Sequence, residues 1–100
     1  MLNPTPPEKM IDAQRRPYFL WDCELTIDDF RSNLDDPDLD VRAYWIGKLM
    51  RQAKPDDVFQ FVTRAKIEEH WSSLERYLGW SREFWTWIFS TWKEQERAAG

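Results

Sequence analysis

The sequence predicts an all-α protein, a compact bundle of about five short helices with an irregular N-terminal tail. Three observations favour this fold class. Only three glycines occur among the 100 residues, and charged residues make up 32% of the chain. No segment alternates apolar and polar residues over the length of a strand, whereas apolar residues recur at helical spacing between recognisable caps.

The first residues are predicted to lack fixed structure. Pro4, Pro6 and Pro7 have no amide donor, and few apolar groups between residues 1 and 16 are available for burial. We therefore expect a disordered tail over residues 1–16 and a single helical domain over residues 17–97, which fits the size of one domain. The domain opens with the apolar segment PYFLWDCEL, residues 17–25, in extended or irregular form.

Caps predict the first two helices. Thr26 is a plausible N-cap, and an apolar stripe carries the first helix to about residue 35. The second helix has Asp36 as its N-cap and Pro37 at its first position, and it stops before Pro55. Gly47 in its interior costs about 1 kcal/mol relative to alanine. Close packing of another helix against this glycine would explain its presence.

Three further helices are predicted in the second half of the chain. A short helix runs from Asp56 to about Val62. Thr63 caps a fourth helix, whose apolar residues follow spacings of 4, 3 and 4 as far as Leu78. Ser81 caps the fifth helix, which runs to about residue 97.

The fifth helix carries more aromatic surface than one buried stripe needs. Four of the seven tryptophans lie in WSREFWTWIFSTW, residues 80–92, where apolar residues fill a wheel arc of roughly 200°. A surface helix needs little more than ~100°. The excess is predicted to be covered by a second layer of the fold, by a second copy of the chain or by a different protein.

Large aromatic side chains are the usual anchors of protein interfaces. The helix therefore supplies three predicted partner-binding residues, which are Trp85, Trp87 and Trp92. A second predicted cluster consists of Trp21 and Asp22 in the apolar segment. These residues favour a non-catalytic, protein-binding domain, with no catalytic residue of its own.

The net charge of −4 is unevenly distributed. Residues 22–40 hold eight acids and one base, so the rest of the chain carries a positive excess. Helix caps and first-turn positions account for several of these acids, and the others are available to steer a basic partner. Direct nucleic-acid binding is not expected, because phosphate contacts need clustered Lys and Arg.

The cysteine and histidine content predicts neither a metal site nor a cofactor. Zinc sites need three or four ligands at close spacing, and Cys23 and His70 are the chain's single cysteine and single histidine. The acids on either side of Cys23 disfavour its reactive thiolate. One cysteine, no apolar run near the ~18 residues of a membrane span and no signal-peptide core predict a cytoplasmic protein without membrane contact.

One enzymatic alternative comes from RAKIEEH, in which Arg64 and His70 are separated by five residues. This spacing resembles the Arg-x(4–6)-His motif of HEPN-type ribonucleases, which are small and all-helical. The resemblance implies a metal-independent ribonuclease in which the arginine steadies phosphate charge and the histidine acts in acid–base catalysis. The motif fixes only two residues, and a packed histidine beside an apolar stripe is the commoner finding.

A second resemblance covers roughly residues 17–92. The segments PYFLWDCELT and VRAYWIGKLMRQAKPDDVFQFVT resemble the short helical proteins encoded beside AbiEii-type nucleotidyltransferase toxins. The shared features are an aromatic-aromatic-x-Trp-Asp motif at residues 18–22 and a short aspartate-led helix at Asp56. The pair Cys23-Glu24 departs from the acid-x-acid pattern of that family.

The second resemblance implies an antitoxin that restrains a nucleotidyltransferase toxin. Restraint would act by blocking the toxin's basic cleft or by holding the toxin in an inactive shape. A homodimer, in which a second copy covers the aromatic face, is a further interpretation that is compatible with this one.

Overall fold

Helices dominate residues 3–99, which are the residues that the computed structural model describes. The α-helices of this range are α1 (Pro7–Met10), α2 (Ile27–Leu34), α3 (Leu39–Gln52), α4 (Pro55–Val58), α5 (Arg64–Glu69), α6 (Trp71–Leu74) and α7 (Arg82–Ala99). Short 3₁₀ turns occupy Tyr18–Leu20, Glu75–Tyr77 and Gly79–Ser81. The predicted all-α class is confirmed, and the β-type pairing in the described chain is one isolated bridge between Ile11 and Pro17.

The helix caps follow local chemistry. The hydroxyls of Thr26 and Thr63 each accept a hydrogen bond from the amide three residues later, at 3.2 and 3.1 Å, so both predicted caps are confirmed. Helix α3 begins later than predicted, because Asp38 rather than Asp36 is its N-cap. Ser81 does not cap α7, since its hydroxyl donates to the carbonyl of Leu78 at 2.7 Å.

Helix α3 lies at the centre of the core, with α2 packed on one part of it and α6 with the following 3₁₀ turn on another. Gly47 marks the second contact. A Cβ at this position would lie 2.7 Å from Cβ of Tyr77 and 3.3 Å from the carbonyl oxygen of Leu74. The close packing predicted from Gly47 is therefore confirmed.

The predicted fourth helix is divided in the structure. His70 ends α5 with φ −99° and ψ 6°, and its Nδ1 lies 3.0 Å from the carbonyl oxygen of Lys66. Helix α6 starts at the next residue, Trp71, whose ring packs against Phe89 of α7 with ring centroids 5.0 Å apart. Because the predicted helix is divided, its apolar residues contact both α3 and α7.

The N-terminal segment differs from the predicted disordered tail over residues 1–16. Residues 3–16 include α1 and are tied to the helical domain through Asp57, a fully buried carboxylate at the end of α4. The amide and hydroxyl of Thr5 each donate to Asp57 at 2.6 Å, and the hydroxyl of Tyr18 donates to it at 2.5 Å. Residues 1 and 2 lie outside the described part of the chain.

Candidate functional site

One flank of α7 belongs to the hydrophobic core. Trp85 is only 1% exposed, and its indole Nε1 donates a hydrogen bond to the carbonyl of Met50 at 2.9 Å. The ring also lies edge-on to Phe59, with centroids 6.0 Å apart. The prediction of Trp85 as a partner-binding residue is therefore wrong: a side chain sealed between α7, α3 and α4 has no surface to offer a partner.

Trp92 is half-buried on the same flank. Its ring contacts Phe59 at 5.7 Å and Phe89 at 5.1 Å between centroids. The guanidinium of Arg64 lies over the indole ring, 4.8 Å from its centroid, and covers part of the ring surface that these aromatic contacts leave open. Trp92 thus closes the end of the core, and most of its surface is already in contact with other residues of the chain.

The opposite flank of α7, together with the turn before it, exposes three large aromatic side chains. Trp87 is 61% exposed, Phe84 is 40% exposed, and Trp80 in the preceding 3₁₀ turn is 82% exposed. The three follow an i, i+4, i+7 spacing, which places them on one face of a helix, and the rings of Phe84 and Trp87 lie 6.5 Å apart. We call Trp80, Phe84 and Trp87 the aromatic stripe.

Trp80 was not among the predicted binding residues. Because Ser81 is a typical N-cap residue, the sequence predicts that Trp80 lies before the helix. In the structure the 3₁₀ turn Gly79–Ser81 leads directly into α7, so the helical face continues one turn upstream. Extending the wheel by one turn would have found this side chain.

A wide, open cleft lies beside Trp80 and Trp87 of the stripe. It has a volume of about 800 Å³ and is lined by Gly79, Trp80, Arg82, Glu83, Thr86 and Trp87. A smaller hollow of about 240 Å³ on the other side of Trp80 reaches Phe84, Met50 and Pro55. The stripe therefore presents relief into which side chains of another molecule can fit.

The predicted second cluster lies apart from the stripe. Trp21 is 70% exposed and lines a different cleft, of about 320 Å³, together with eight other residues between Lys9 and Cys23. The side chain of Asp22 is 42% exposed, and its Oδ2 accepts a hydrogen bond from the buried ammonium of Lys48 at 2.6 Å, so part of its hydrogen-bonding capacity is used within the chain. That hydrogen bond, with a weaker one from Gln52, holds the pKa of Asp22 below its usual value.

Most of the acidic segment 22–40 is also engaged within the chain. Asp28 pairs with Arg15 at 3.1 Å, and Asp35 pairs with Lys66 at 2.7 Å. Hydrogen bonding and attraction to Lys66 lower the pKa of Asp35. Asp36 and Asp38 accept hydrogen bonds from backbone amides at the start of α3. These acids therefore support the fold, although the side chains of Asp28 and Asp35 remain 68% and 78% exposed and keep the negative charge of the segment at the surface.

The ribonuclease pattern is likewise occupied by internal contacts. Arg64 bonds Glu68 at 2.9 Å and Glu96 at 2.7 Å, and the bond to Glu68 is the main reason that its pKa is raised. His70 is 7% exposed and its Nδ1 is directed at a backbone carbonyl. The arrangement neutralises the arginine and buries the histidine, so no observation favours this chemistry.

Comparisons with known proteins give no match: neither a protein-family model, nor a curated protein, nor a solved structure is similar to the chain. Among residues 3–99, no three His, Cys, Asp or Glu side chains are grouped as a metal ion would require. None of the helices in that part of the chain has both the length and the apolar character that crossing a bilayer demands.

Proposed function

We propose that the chain is a non-catalytic protein-binding domain that docks through the aromatic stripe. The single observation that supports this function is the joint exposure of Trp80, Phe84 and Trp87 on one face. Isolated exposed apolar residues need no explanation, but adjacent large ones are costly to leave in water. The buried flank of α7 holds this row on a fixed support, so little ordering is required on binding.

The size of the stripe fits the centre of an interface. At ~150–250 Å² for each aromatic side chain, the exposed fractions correspond to roughly 270–460 Å². Covering this area at ~25 cal/mol/Å² yields on the order of 7–11 kcal/mol before costs. Association costs about 4–15 kcal/mol. The stripe therefore needs surrounding contacts, and a complete interface would bury ~800 Å² on each partner.

The proposed partner is a nucleotidyltransferase toxin, which the chain would restrain as an antitoxin. The basis for this identity is the resemblance of residues 17–92, together with the net charge of −4. A protein that transfers nucleotides to RNA needs a basic cleft for phosphate. An acidic, aromatic-faced domain is complementary to such a cleft.

The test is co-expression of the chain with a nucleotidyltransferase toxin, if the reading frame beside its gene encodes one. We expect the two proteins to co-purify and the chain to rescue growth. Trp87→Ala and Trp80→Ala should each abolish rescue while the far-UV circular dichroism spectrum is retained. Leu39→Ala is the control, since it truncates a large apolar side chain that is 58% exposed at the start of α3, outside the aromatic stripe, and it should leave rescue intact.

Two results would contradict the proposal. Rescue that survives the double substitution Trp80→Ala/Trp87→Ala would show that the stripe is not the docking surface. Light scattering that gives a stable dimer, dissociated by Trp87→Ala, would show instead that a second copy covers the stripe. Absence of any neighbouring nucleotidyltransferase would remove the partner's identity but not the docking surface.

A further inference from the structure

The cleft along the aromatic stripe contains an unpaired negative charge. Glu83 lies three residues after Trp80 and four before Trp87, a spacing that places all three on one helical face. The three side chains line the same cleft of about 800 Å³. Two indoles thus stand on either side of a carboxylate along the helix.

The cleft's own cation does not neutralise Glu83. Arg82 is the single basic residue that lines the cleft, and its Nε and Nη2 both donate to Oε1 of Glu75, at 2.9 and 2.6 Å. Among the ion pairs of residues 3–99, Glu83 takes part in none. The carboxylate is therefore open to a cation from outside the chain.

The same combination of groups is already complete elsewhere on α7. The guanidinium of Arg64 lies 4.8 Å from the ring centroid of Trp92 and binds Glu96 at 2.7 Å. There an indole, a carboxylate and a guanidinium satisfy one another. The cleft at Trp80 and Trp87 presents the indoles and the carboxylate but lacks the guanidinium.

We propose that this cleft receives an arginine side chain of the partner protein. The planar guanidinium stacks on an indole face, which carries the negative end of the ring quadrupole, and it pairs with the carboxylate of Glu83. Arginine suits the site better than lysine because its flat, weakly hydrated head can stack and donate two hydrogen bonds at once. The inference rests on the proposed function, because the arginine belongs to the docked protein.

The first experiment requires no partner. N-acetylarginine amide is titrated into the ¹⁵N-labelled chain, and the indole N–H signals are followed by NMR after assignment with Trp80→Phe and Trp87→Phe. We expect saturable shifts of these two signals, with weak affinity on the order of 10 mM. The neutral isostere N-acetylcitrulline amide should shift neither signal, since it lacks the charge.

Two matched substitutions distinguish the effect of the Glu83 carboxylate from the effect of lowering the negative charge of α7. Glu83→Gln should weaken arginine amide binding about 10-fold. Glu94→Gln removes an exposed acid from the same helix outside the cleft and should leave binding unchanged. Equal shifts with citrulline amide, an equal effect of both substitutions, or no saturable shift would each overturn the proposal.

The second experiment uses the co-purified complex and distinguishes this inference from the proposed function. If the arginine inserts, Glu83→Gln should raise the Kd of the complex about 10-fold and reduce its salt dependence, while Glu94→Gln does neither. A complex that Trp87→Ala dissociates but Glu83→Gln leaves intact would keep the docking surface and reject the arginine. A complex indifferent to both substitutions would reject both.

Discussion

Thr5 is joined to Asp57, 52 positions later in the chain, by two hydrogen bonds of 2.6 Å that come from its amide and its hydroxyl. Tyr18 donates a third to the same carboxylate, and the phenol oxygen in turn accepts from the amide of Lys54 at 2.9 Å. One buried carboxylate thus connects the N-terminal segment, the apolar segment and α4. Its removal should loosen all three.

Asp57→Ala should therefore destabilise the fold by about 1–3 kcal/mol, because the donors of Thr5 and Tyr18 lose a buried acceptor. The free energy of unfolding from urea titration measures this loss. Asp56→Ala is the matched control. Its carboxylate accepts one exposed hydrogen bond from Asn3, so the expected change stays below ~0.5 kcal/mol. Equal losses at the two positions would contradict the role assigned to Asp57.

The same carboxylate predicts a loss of stability in acid. Burial by itself would raise the pKa of Asp57, but hydrogen bonds from Thr5 and Tyr18 hold that pKa below its usual value. A carboxyl group whose pKa is lower in the folded state stabilises the fold above its unfolded pKa of about 3.9. That contribution is lost as the pH falls through the folded pKa.

Urea midpoints between neutral pH and about pH 2 test this dependence. For the wild type, the urea concentration at the midpoint should decrease once the pH is below about 4. This decrease should be smaller in Asp57→Asn, because its side chain has no proton to take up. Asp22 and Asp35 also have lowered pKa values, so part of the fall should persist in the variant. An unchanged acid profile in Asp57→Asn would show that this carboxylate is not linked to folding.

Trp85 and Trp87 form a matched pair of substitutions two residues apart. Trp85→Ala should lower the free energy of unfolding by about 3–5 kcal/mol, because it opens a core cavity and leaves the carbonyl of Met50 without its indole donor. Trp87→Ala should change it by no more than ~0.5 kcal/mol, since the ring is 61% exposed. Thermal melts followed by circular dichroism distinguish the two. A reversed order would place the stripe in the core.

Gly47→Ala should destabilise the protein although alanine is the better helix former. The substitution gains about 1 kcal/mol of helix propensity, but its Cβ would lie 2.7 Å from Cβ of Tyr77. Overpacking of this kind costs about 1–3 kcal/mol. Urea unfolding should show a net loss for Gly47→Ala, and Tyr77→Gly in the same background, which removes the clashing Cβ, should recover part of it. A net gain would mean that α3 and the turn at Tyr77 can move apart.

Local chemistry was the most predictable part of this fold. Thr26 and Thr63 act as caps because a hydroxyl followed by free helical amides needs nothing from the rest of the molecule. Gly47 could be interpreted in the same way, since an interior glycine is costly unless a neighbour approaches closely. The division of the predicted fourth helix into α5 and α6 at His70 could not be predicted, because it depends on where α3 and α7 lie relative to the apolar residues of that helix.

The candidate site was predicted only in part. The excess of aromatic surface on α7 was visible in the sequence, and Trp87 is exposed as predicted. A wheel arc of roughly 200° cannot show which of its edges the core will cover. The contact between the indole of Trp85 and the carbonyl of Met50 decides this, and it joins residues 35 positions apart. Trp80 was missed because it lies in a 3₁₀ turn before α7, and the sequence does not show that this turn continues into the helix.

Helix α7 is anchored at a fixed azimuth by the hydrogen bond from Trp85 to Met50. A shift of one residue in the register of α7 would rotate the helix by ~100° and would bury aromatic rings that are now exposed, while exposing rings that are now buried. One edge of α7 therefore packs in the core, and the other carries the rings through which we propose that a partner docks. A substitution on the exposed edge leaves the fold intact, whereas a substitution at Trp85 changes both the core and the direction in which the exposed rings face.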